Sequence, residues 1–389
     1  MLLVPRQSHI EKEQVMEEST VFVGLDVHKD SISVALVTVE GLAVEIGQFA
    51  NTEAAVGQLV RRLARKHGRL VLAYEAGPCG YGLYRQLTSM GHACVVAAPS
   101  LIPRRPGDRI KTDRRDALTL ARMLRMGELT AVWVPDPAHE AIRDLVRCRE
   151  DFKQAERRCR QRLCGFLLRH GRYYAKSKWT QEHRRWLMSQ SFDEPALAKV
   201  FGHYHHAILE AEERVAQLER EMAESLDSWS LAPLVRGLMA MRGVRLVTAM
   251  TLAAELGDLS RFARAGDLMS FVGLVASEHS SGQSRRQGGI TKSGNRHVRR
   301  VLVESAWSYR HKPCWSAALR ARARDASEAV RAIAWKAQKR LCSRYHRLTS
   351  RGKAAQTAIT AVAREEVGFI WAIGRQVMQE QRALAEANV

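Results

Sequence analysis

Residues 21–39 read VFVGLDVHKDSISVALVTV, two runs of β-branched and apolar residues on either side of a short polar turn, His28-Lys29-Asp30. Such runs are strands, and so short a turn folds the second antiparallel against the first. LAVEIGQFA (42–50) supplies a third antiparallel strand. Residues 53–67 place apolar side chains at 56, 59, 60 and 63, a helical spacing that stops before Gly68. RLVLAYE (69–75) has the apolar run of a buried strand, residues 81–90 form a helix ended by Gly91, and HACVVAA (92–98) is a further strand. A Pro- and Arg-rich loop over 99–111 precedes a helix over 113–126. The order β-β-β-α-β-α-β-α predicts an α/β, ribonuclease-H-like domain over 21–130, with three antiparallel strands followed by crossovers that add parallel ones.

Past residue 130 the strand pattern ends. The segment from Ala138 to Gly171 and AILEAEERVAQLEREMAESL (207–226) carry spaced apolar positions among dense charges, so 131–230 reads as a helical coiled-coil connector, either a structural arm or an oligomerisation arm. Residues 231–384 read as a mainly helical domain. It begins with a helix-hairpin-helix-like unit around Gly243, a common way to present backbone amides to phosphates. Residues 1–20 read as a flexible tail without the apolar core of a signal peptide.

At 389 residues, 46% hydrophobic and 26% charged, the chain has the composition of a globular protein of more than one domain. Its longest apolar stretches fall far short of the roughly 20 residues of a spanning helix, so no membrane is expected. Seven scattered cysteines without a CxxC pair point to reduced thiols in a cytosol. Charge narrows the partners. The net charge is +20, and residues 285–351 hold 18 Lys/Arg against three acids, Glu304, Asp325 and Glu328. That imbalance favours a polyanion, with nucleic acid first.

Four acids stand where metal chemistry needs them. Asp26 ends the first strand, Glu75 ends the fourth, and Asp113 and Asp116 in KTDRRDA lie three apart on one helix face. Anions gather only around a cation, and hard oxygen ligands suit Mg²⁺ or Mn²⁺, which activate an attacking oxygen at a phosphodiester and stabilise the leaving one. Asp108, in the loop, is a weaker competitor for Asp113. The run HYHH (203–206) lacks partnering acids or cysteines and reads as solvated.

A second informative passage is SFVGLVASEHSSGQSRRQGGITKSGNRHVRRVLVESAW, in which Ser280-Ser281-Gly282 opens a Gly/Arg-rich loop. No GxSxG elbow is present, and His279 is not a triad base. A serine instead attacks phosphorus where a metal activates it and cations neutralise the phosphate. Arg285, Arg286, Lys292, Arg296, Arg299 and Arg300 are the candidates for contact with nucleic acid.

VGLDVHKD, YEAGPCGYGLYRQL, KTDRRDA, MRGVRLVTAMTLAAELGD, FVGLVASEHSSG and ITKSGNRHVRRVLVESAW run in order from about residue 21 to 310. Together they resemble the IS110-type insertion-sequence transposases, relatives of pilin-gene DNA invertases. The resemblance implies a Holliday-junction-resolvase-like (RuvC-like) domain whose Asp-Glu-Asp-Asp quartet, here Asp26, Glu75, Asp113 and Asp116, binds Mg²⁺ (or Mn²⁺). It implies a nucleophilic serine before glycine, Ser281 with Ser280 one residue off, that forms a covalent 5′-phosphoserine link to DNA. It further implies donor and target DNA chosen by a structured bridge RNA, dimers assembling to a tetramer, and a place in the bacterial cytoplasm with the nucleoid. Two positions depart from the family: Ala276 stands for the proline of GL-x-P, and Arg242-Gly243-Val244-Arg245 for Pro-Gly-x-Gly. Neither is a ligand or nucleophile. The rival expectations are a ribonuclease-H-like nuclease or junction resolvase that uses water, and a non-catalytic nucleic-acid-binding assembly factor.

Overall fold

The computed structural model describes residues 20–102, 113–278, 280–282, 284 and 286–387. The expected tail over 1–20 (apart from Thr20), Asp108, His279 and Arg285 lie outside them. The chain divides into two compact units that meet between Val134 and Pro135.

The first unit is mixed α/β. Strands β1 (Thr20–Val27), β2 (Ser31–Thr38), β3 (Ala43–Ala50), β4 (Arg69–Glu75) and β5 (Ala93–Ala97) form one sheet in the order β3-β2-β1-β4-β5. The first three are antiparallel, and β4 and β5 are parallel to β1. Helices α1 (Glu53–His67), capped by the Thr52 hydroxyl, and α2 (Gly82–Ser89) provide the crossovers, and α3 (Asp113–Met126) follows β5.

Strand alternation assigns the two faces. Val21, Val23 and Leu25 with Leu70, Leu72 and Tyr74 pack against Val56, Leu59, Val60 and Leu63 of α1 and Leu87 of α2. The intervening residues Phe22, Val71 and Ala73 face the other way, onto Leu124 of α3. Gly24 lies on this second face because α3 lies almost upon it: a Cβ there would stand 1.9 Å from the Ala117 carbonyl oxygen and 2.6 Å from the Ala121 nitrogen. The small residues Ala117 and Ala121, both buried, complete the close approach.

In the second unit, α4 (Pro137–Arg169), α5 (Gln181–Met188) and α6 (Pro195–Glu224) build a hairpin. Arg149 pairs with Glu219, Arg160 with Glu212, and the Phe166 ring lies 5.7 Å from that of Tyr204, so α4 and α6 run antiparallel within one chain. Helix α6 starts at Pro195, a dozen residues before the periodic stretch read from the sequence. Proline fits at a helix N-terminus, where no amide partner is needed. The HYHH run therefore lies on a helix, with His203 and His206 exposed.

The rest is mainly helical: α7 (Ala232–Leu238), α8 (Leu246–Leu256), α9 (Ala265–Phe271), α10 (Arg296–Ala306), α11 (Ala317–Arg322), α12 (Glu328–Ser350) and α13 (Ala355–Ala387), with a short hairpin of β6 (Ala276–Glu278) and β7 (Gln287–Ile290). Gly243, with φ of 85°, makes the turn between α7 and α8. One core joins Leu234, Val235 and Leu238 to Leu252, Val301, Leu341, Ile359 and Ile370. No described helix is long and apolar enough to cross a membrane.

Inside this core lies the carboxyl group of Glu366. Glu366 is fully buried and accepts from the Ser305 hydroxyl at 3.0 and 2.9 Å. Burial pushes its pKa up to about 8, with the Ser305 bond pulling partly the other way. A carboxyl raised on folding favours the fold while protonated. That advantage is complete below the ordinary value of 4.5, declines as pH rises, and is gone once pH has passed about 8. Thermal melts across this window are expected to fall with rising pH, and Glu366→Gln to flatten the fall. An unchanged slope in Glu366→Gln would refute the assignment to this group.

Candidate functional site

The register of the first sheet builds the carboxylate site. Parallel pairing matches Gly24 with Ala73 and Leu25 with Tyr74, so Asp26 and Glu75 are the next pair of positions on adjacent strands. Glu75 alternates with Tyr74 and therefore lies on the side of Ala73, as Asp26 lies on the side of Gly24 and of α3. From Gly24 to Asp26 the strand advances roughly 6.7 Å, and from Ala117 back to Asp113 the helix retreats about 6 Å, so the near contact of Gly24 with Ala117 brings Asp113 level with Asp26. Asp113 and Asp116 occupy the first turn of α3, where the helix dipole favours anions.

The closest gathering is Asp26, His28 and Asp113, each with a ligand atom within 4.8 Å of the others. The His28 Nε2 lies 3.3 Å from Asp26 Oδ2 and 3.5 Å from Asp113 Oδ2. Among the described residues, Glu75 and Asp116 contribute no atom to that group. Glu75 is exposed at the end of β4, and Asp116 is half-buried one helical step from Asp113. Asp26 has its carboxyl raised above the ordinary value of 3.8, first by burial and then by the negative charges of Asp113 and Asp116, while His28 lowers it. A carboxyl raised by burial and by neighbouring carboxylates marks a place a cation relieves.

His28 stands outside the acidic quartet expected from the sequence, where it reads only as part of a short polar turn. The signal was available: it stands two residues from Asp26, the spacing that keeps two strand side chains on one face. The donor set suits a divalent ion, with carboxylate oxygens for Mg²⁺ or Mn²⁺ and an imidazole that can act as a further ligand.

Ser281 lies at the tip of the β6–β7 hairpin. Its amide donates to the Ser284 carbonyl at 3.1 Å, the Ser284 amide returns a bond of 3.0 Å, and Ser281 is exposed. The two serines differ. The Ser280 hydroxyl donates to Glu278 Oε1 at 2.8 Å, whereas among the described residues the Ser281 hydroxyl has no protein partner. The hairpin is closed below: Thr291 donates its amide to Val275 and Lys292 donates to Gly273. At Gly294, with φ of 73°, a Cβ would stand 1.9 Å from the Phe271 carbonyl oxygen.

The cations proposed to meet nucleic acid fall into two groups. Arg286, Lys292 and Arg296 are exposed. Arg299 instead donates to the carbonyls of Val272 (2.8 Å) and Ser293 (2.9 Å), bracing the hairpin base. Arg300 pairs with Glu150 and with Glu304. Beside it, His297 Nδ1 lies 2.7 Å from Glu150 Oε2. The side chain of Asn295 caps α10, accepting from the amides of His297 and Val298, and donates to Glu255 Oε2 at 2.6 Å. Glu255 is held in turn by two bonds from Arg147 at 2.7 and 3.0 Å. Burial opposes ionisation of Glu255, but Arg147 and Asn295 outweigh it and keep the carboxyl below its ordinary value.

Two family models match the chain. One, described as Transposase IS116/IS110/IS902 family, matches residues 235–320, and a DEDD transposase model, described as Transposase, matches residues 23–171. Among curated relatives, "Putative transposase y4qE" of Sinorhizobium fredii is 47% identical over 361 residues, covering 92% of this chain and 89% of its own length. "Transposase for insertion sequence element IS1533" of Leptospira borgpetersenii is 31% identical over 338 residues, 86% of this chain and 98% of its own. An insertion element IS110 protein of Streptomyces coelicolor is 26% identical over 92% of this chain.

Proposed function

We propose, from the premise that the chain belongs to the transposase IS116/IS110/IS902 family, that it cuts and rejoins DNA through a covalent phosphoserine on Ser281, assisted by a divalent-metal site of Asp26, Glu75, Asp113 and Asp116. The observation that carries the reading is the approach of the Asp26 and Asp113 carboxylates within one ligand-sized cluster. When bound, Mg²⁺ or Mn²⁺ would neutralise those carboxylates and withdraw charge from a phosphate oxygen. Asp26 and Asp113 would hold the ion from two elements whose close approach Gly24 permits. Glu75 and Asp116 complete the acidic wall, and His28 orients the first pair.

Ser281 Oγ forms a bond to phosphorus as the bond from phosphorus to the 3′ oxygen breaks. The serine proton is given up, the departing 3′ oxygen takes one, and the 5′ phosphate stays on the protein. A 3′ hydroxyl from a second strand then attacks the same phosphorus and releases the serine. One phosphodiester is exchanged for another, so no external energy source is required. Arg286, Lys292 and Arg296 supply positive charge beside the hairpin. Selection of Ser281 over Ser280 is supported by the bond that ties the Ser280 hydroxyl to Glu278.

The family resemblance adds a structured bridge RNA that pairs with donor and target DNA, and dimers that assemble to a tetramer through the helical hairpin, so that one subunit's carboxylates serve another's serine. Trapping tests the central claim. With DNA carrying the element's ends and Mg²⁺, the protein is expected to give a denaturant-resistant, protease-sensitive DNA adduct that Ser281→Ala abolishes and Ser280→Ala retains. Strand cleavage that persists in Ser281→Ala would establish water as the nucleophile and overturn the proposal.

A further inference from the structure

The shaft of the α4–α6 hairpin is neutralised by cross-helix pairs such as Arg149–Glu219 and Arg160–Glu212. Toward the tip this pairing thins, with Lys176–Glu182 the pair carried there. Residues 157–181 contain eight Lys/Arg and no Asp or Glu. Arg157, Arg158, Arg162, Arg169 and Lys178 are all exposed there. None of the five has an ion-pair partner among the described residues. Five exposed cations without ion-pair partners along the outer half of an arm are an electrostatic footprint for a polyanion.

The same tip carries a cleft of about 180 Å³ lined by Leu168, Arg172, Tyr173, Tyr174, Lys178 and Trp186. Its floor is rigid. The Tyr174 and Trp186 rings lie 5.2 Å apart, and buried His183 stacks on Trp186 at 5.6 Å. His183 accepts the Trp179 amide on Nδ1 at 3.1 Å, and burial lowers its pKa, so a neutral ring backs the floor. One wall is fixed by Arg172, which lies over the Phe192 ring at 4.2 Å. The other wall is open: Tyr173 is 69% exposed and Leu168 66% exposed, large apolar surfaces left in water at the most basic part of the arm.

We propose that this cleft is a stacking site for an unpaired base of a folded RNA loop, with the flanking phosphates drawn to the exposed cations around it. Charge selects a nucleic acid, and the aromatic walls select a base with a free face. In duplex DNA every base is paired and stacked, so a cleft of this kind cannot receive one, whereas the loops of a folded RNA present them. The inference rests on the RNA partnership proposed above and adds where on this chain one loop is held.

The test uses the full chain and a fluorescein-labelled RNA hairpin with 2-aminopurine in its loop, read by anisotropy and by quenching of the analogue, against a blunt RNA duplex and a DNA hairpin of the same sequence. Quenching is expected for the RNA hairpin. Tyr173→Ala is expected to weaken its binding roughly ten-fold or more and abolish the quenching, while Tyr173→Phe retains both and blunt-duplex affinity is unchanged. Tyr173 is exposed, so matching thermal melts will show that the variants are folded. Lys178→Glu is expected to weaken binding with a shallower salt dependence. RNA binding that survives Tyr173→Ala with quenching intact would overturn this inference alone. An RNA hairpin bound no better than the DNA hairpin would overturn the assignment to RNA. Absence of RNA binding by the unsubstituted protein would overturn both this inference and the RNA part of the proposed function.

Discussion

An Asp26→Asn protein is expected to lose DNA cleavage by roughly a thousand-fold or more, yet to melt at or above the temperature of the parent when divalent ions are absent. The amide keeps the shape of the carboxylate and can still meet His28, but one of the mutually repelling charges around Asp113 is gone. Metal reverses the order of stabilities. An ion present at a hundred times its Kd adds about 2.7 kcal/mol to the folded state, worth a rise of several degrees in Tm at this size. The parent should show that rise with Mg²⁺ or Mn²⁺ and the variant should lose most of it. Cleavage at the parental rate, or an undiminished metal-dependent rise in Tm, would remove Asp26 from the site.

Gly24→Ala is expected to be among the most disruptive single-methyl changes in the first unit. The added carbon would stand 1.9 Å from the Ala117 oxygen and 2.6 Å from the Ala121 nitrogen. Both are backbone atoms of a helix, so no side-chain rotation relieves them, and α3 has to move off the sheet by more than an ångström. Overpacking of this kind costs about 1–3 kcal/mol and more where the obstacle is rigid. The displaced helix carries Asp113 and Asp116, so metal affinity should fall together with Tm. Gly82→Ala is the control, since its added carbon meets nothing within 4 Å, and its melting temperature should be unchanged or slightly higher. Equal stability of Gly24→Ala and the parent would show that α3 does not seat on β1 as described.

The first sheet was legible because its strands alternate or run continuously apolar between unmistakable breaks, as at His28-Lys29-Asp30 and Gly68. The placement of Asp26, Asp113 and Asp116 followed from the same periodicities. The role of His28 did not, because a polar residue beside a turn reads as solvated until the helix that faces it is known. The start of α6 was missed because the stretch from Pro195 to His206 shows little heptad pattern. Its packing runs through aromatic rings, such as Phe201 on Phe192 and Tyr204 on Phe166. The duties of Arg299 and Arg300 were equally hidden. A count of charges registers both as surplus, and only the fold shows Arg299 bonded to two carbonyls and Arg300 to two glutamates. Glu366 gives no sign in sequence that it is enclosed, since it follows Glu365, whose carboxylate reaches Arg340 and Arg344.

The Arg147–Glu255–Asn295 and Glu150–His297 links fasten α4 near its start to the cap and first turn of α10, the helix that follows the serine hairpin. Beyond Glu150 the shaft runs on for roughly 30 Å at 1.5 Å per residue. It is therefore a lever with a clamped heel. A tilt of about 10° carries the far end through roughly 5 Å on that length, and torque applied there is delivered through Asn295 toward the β6–β7 hairpin, not lost in a flexible joint.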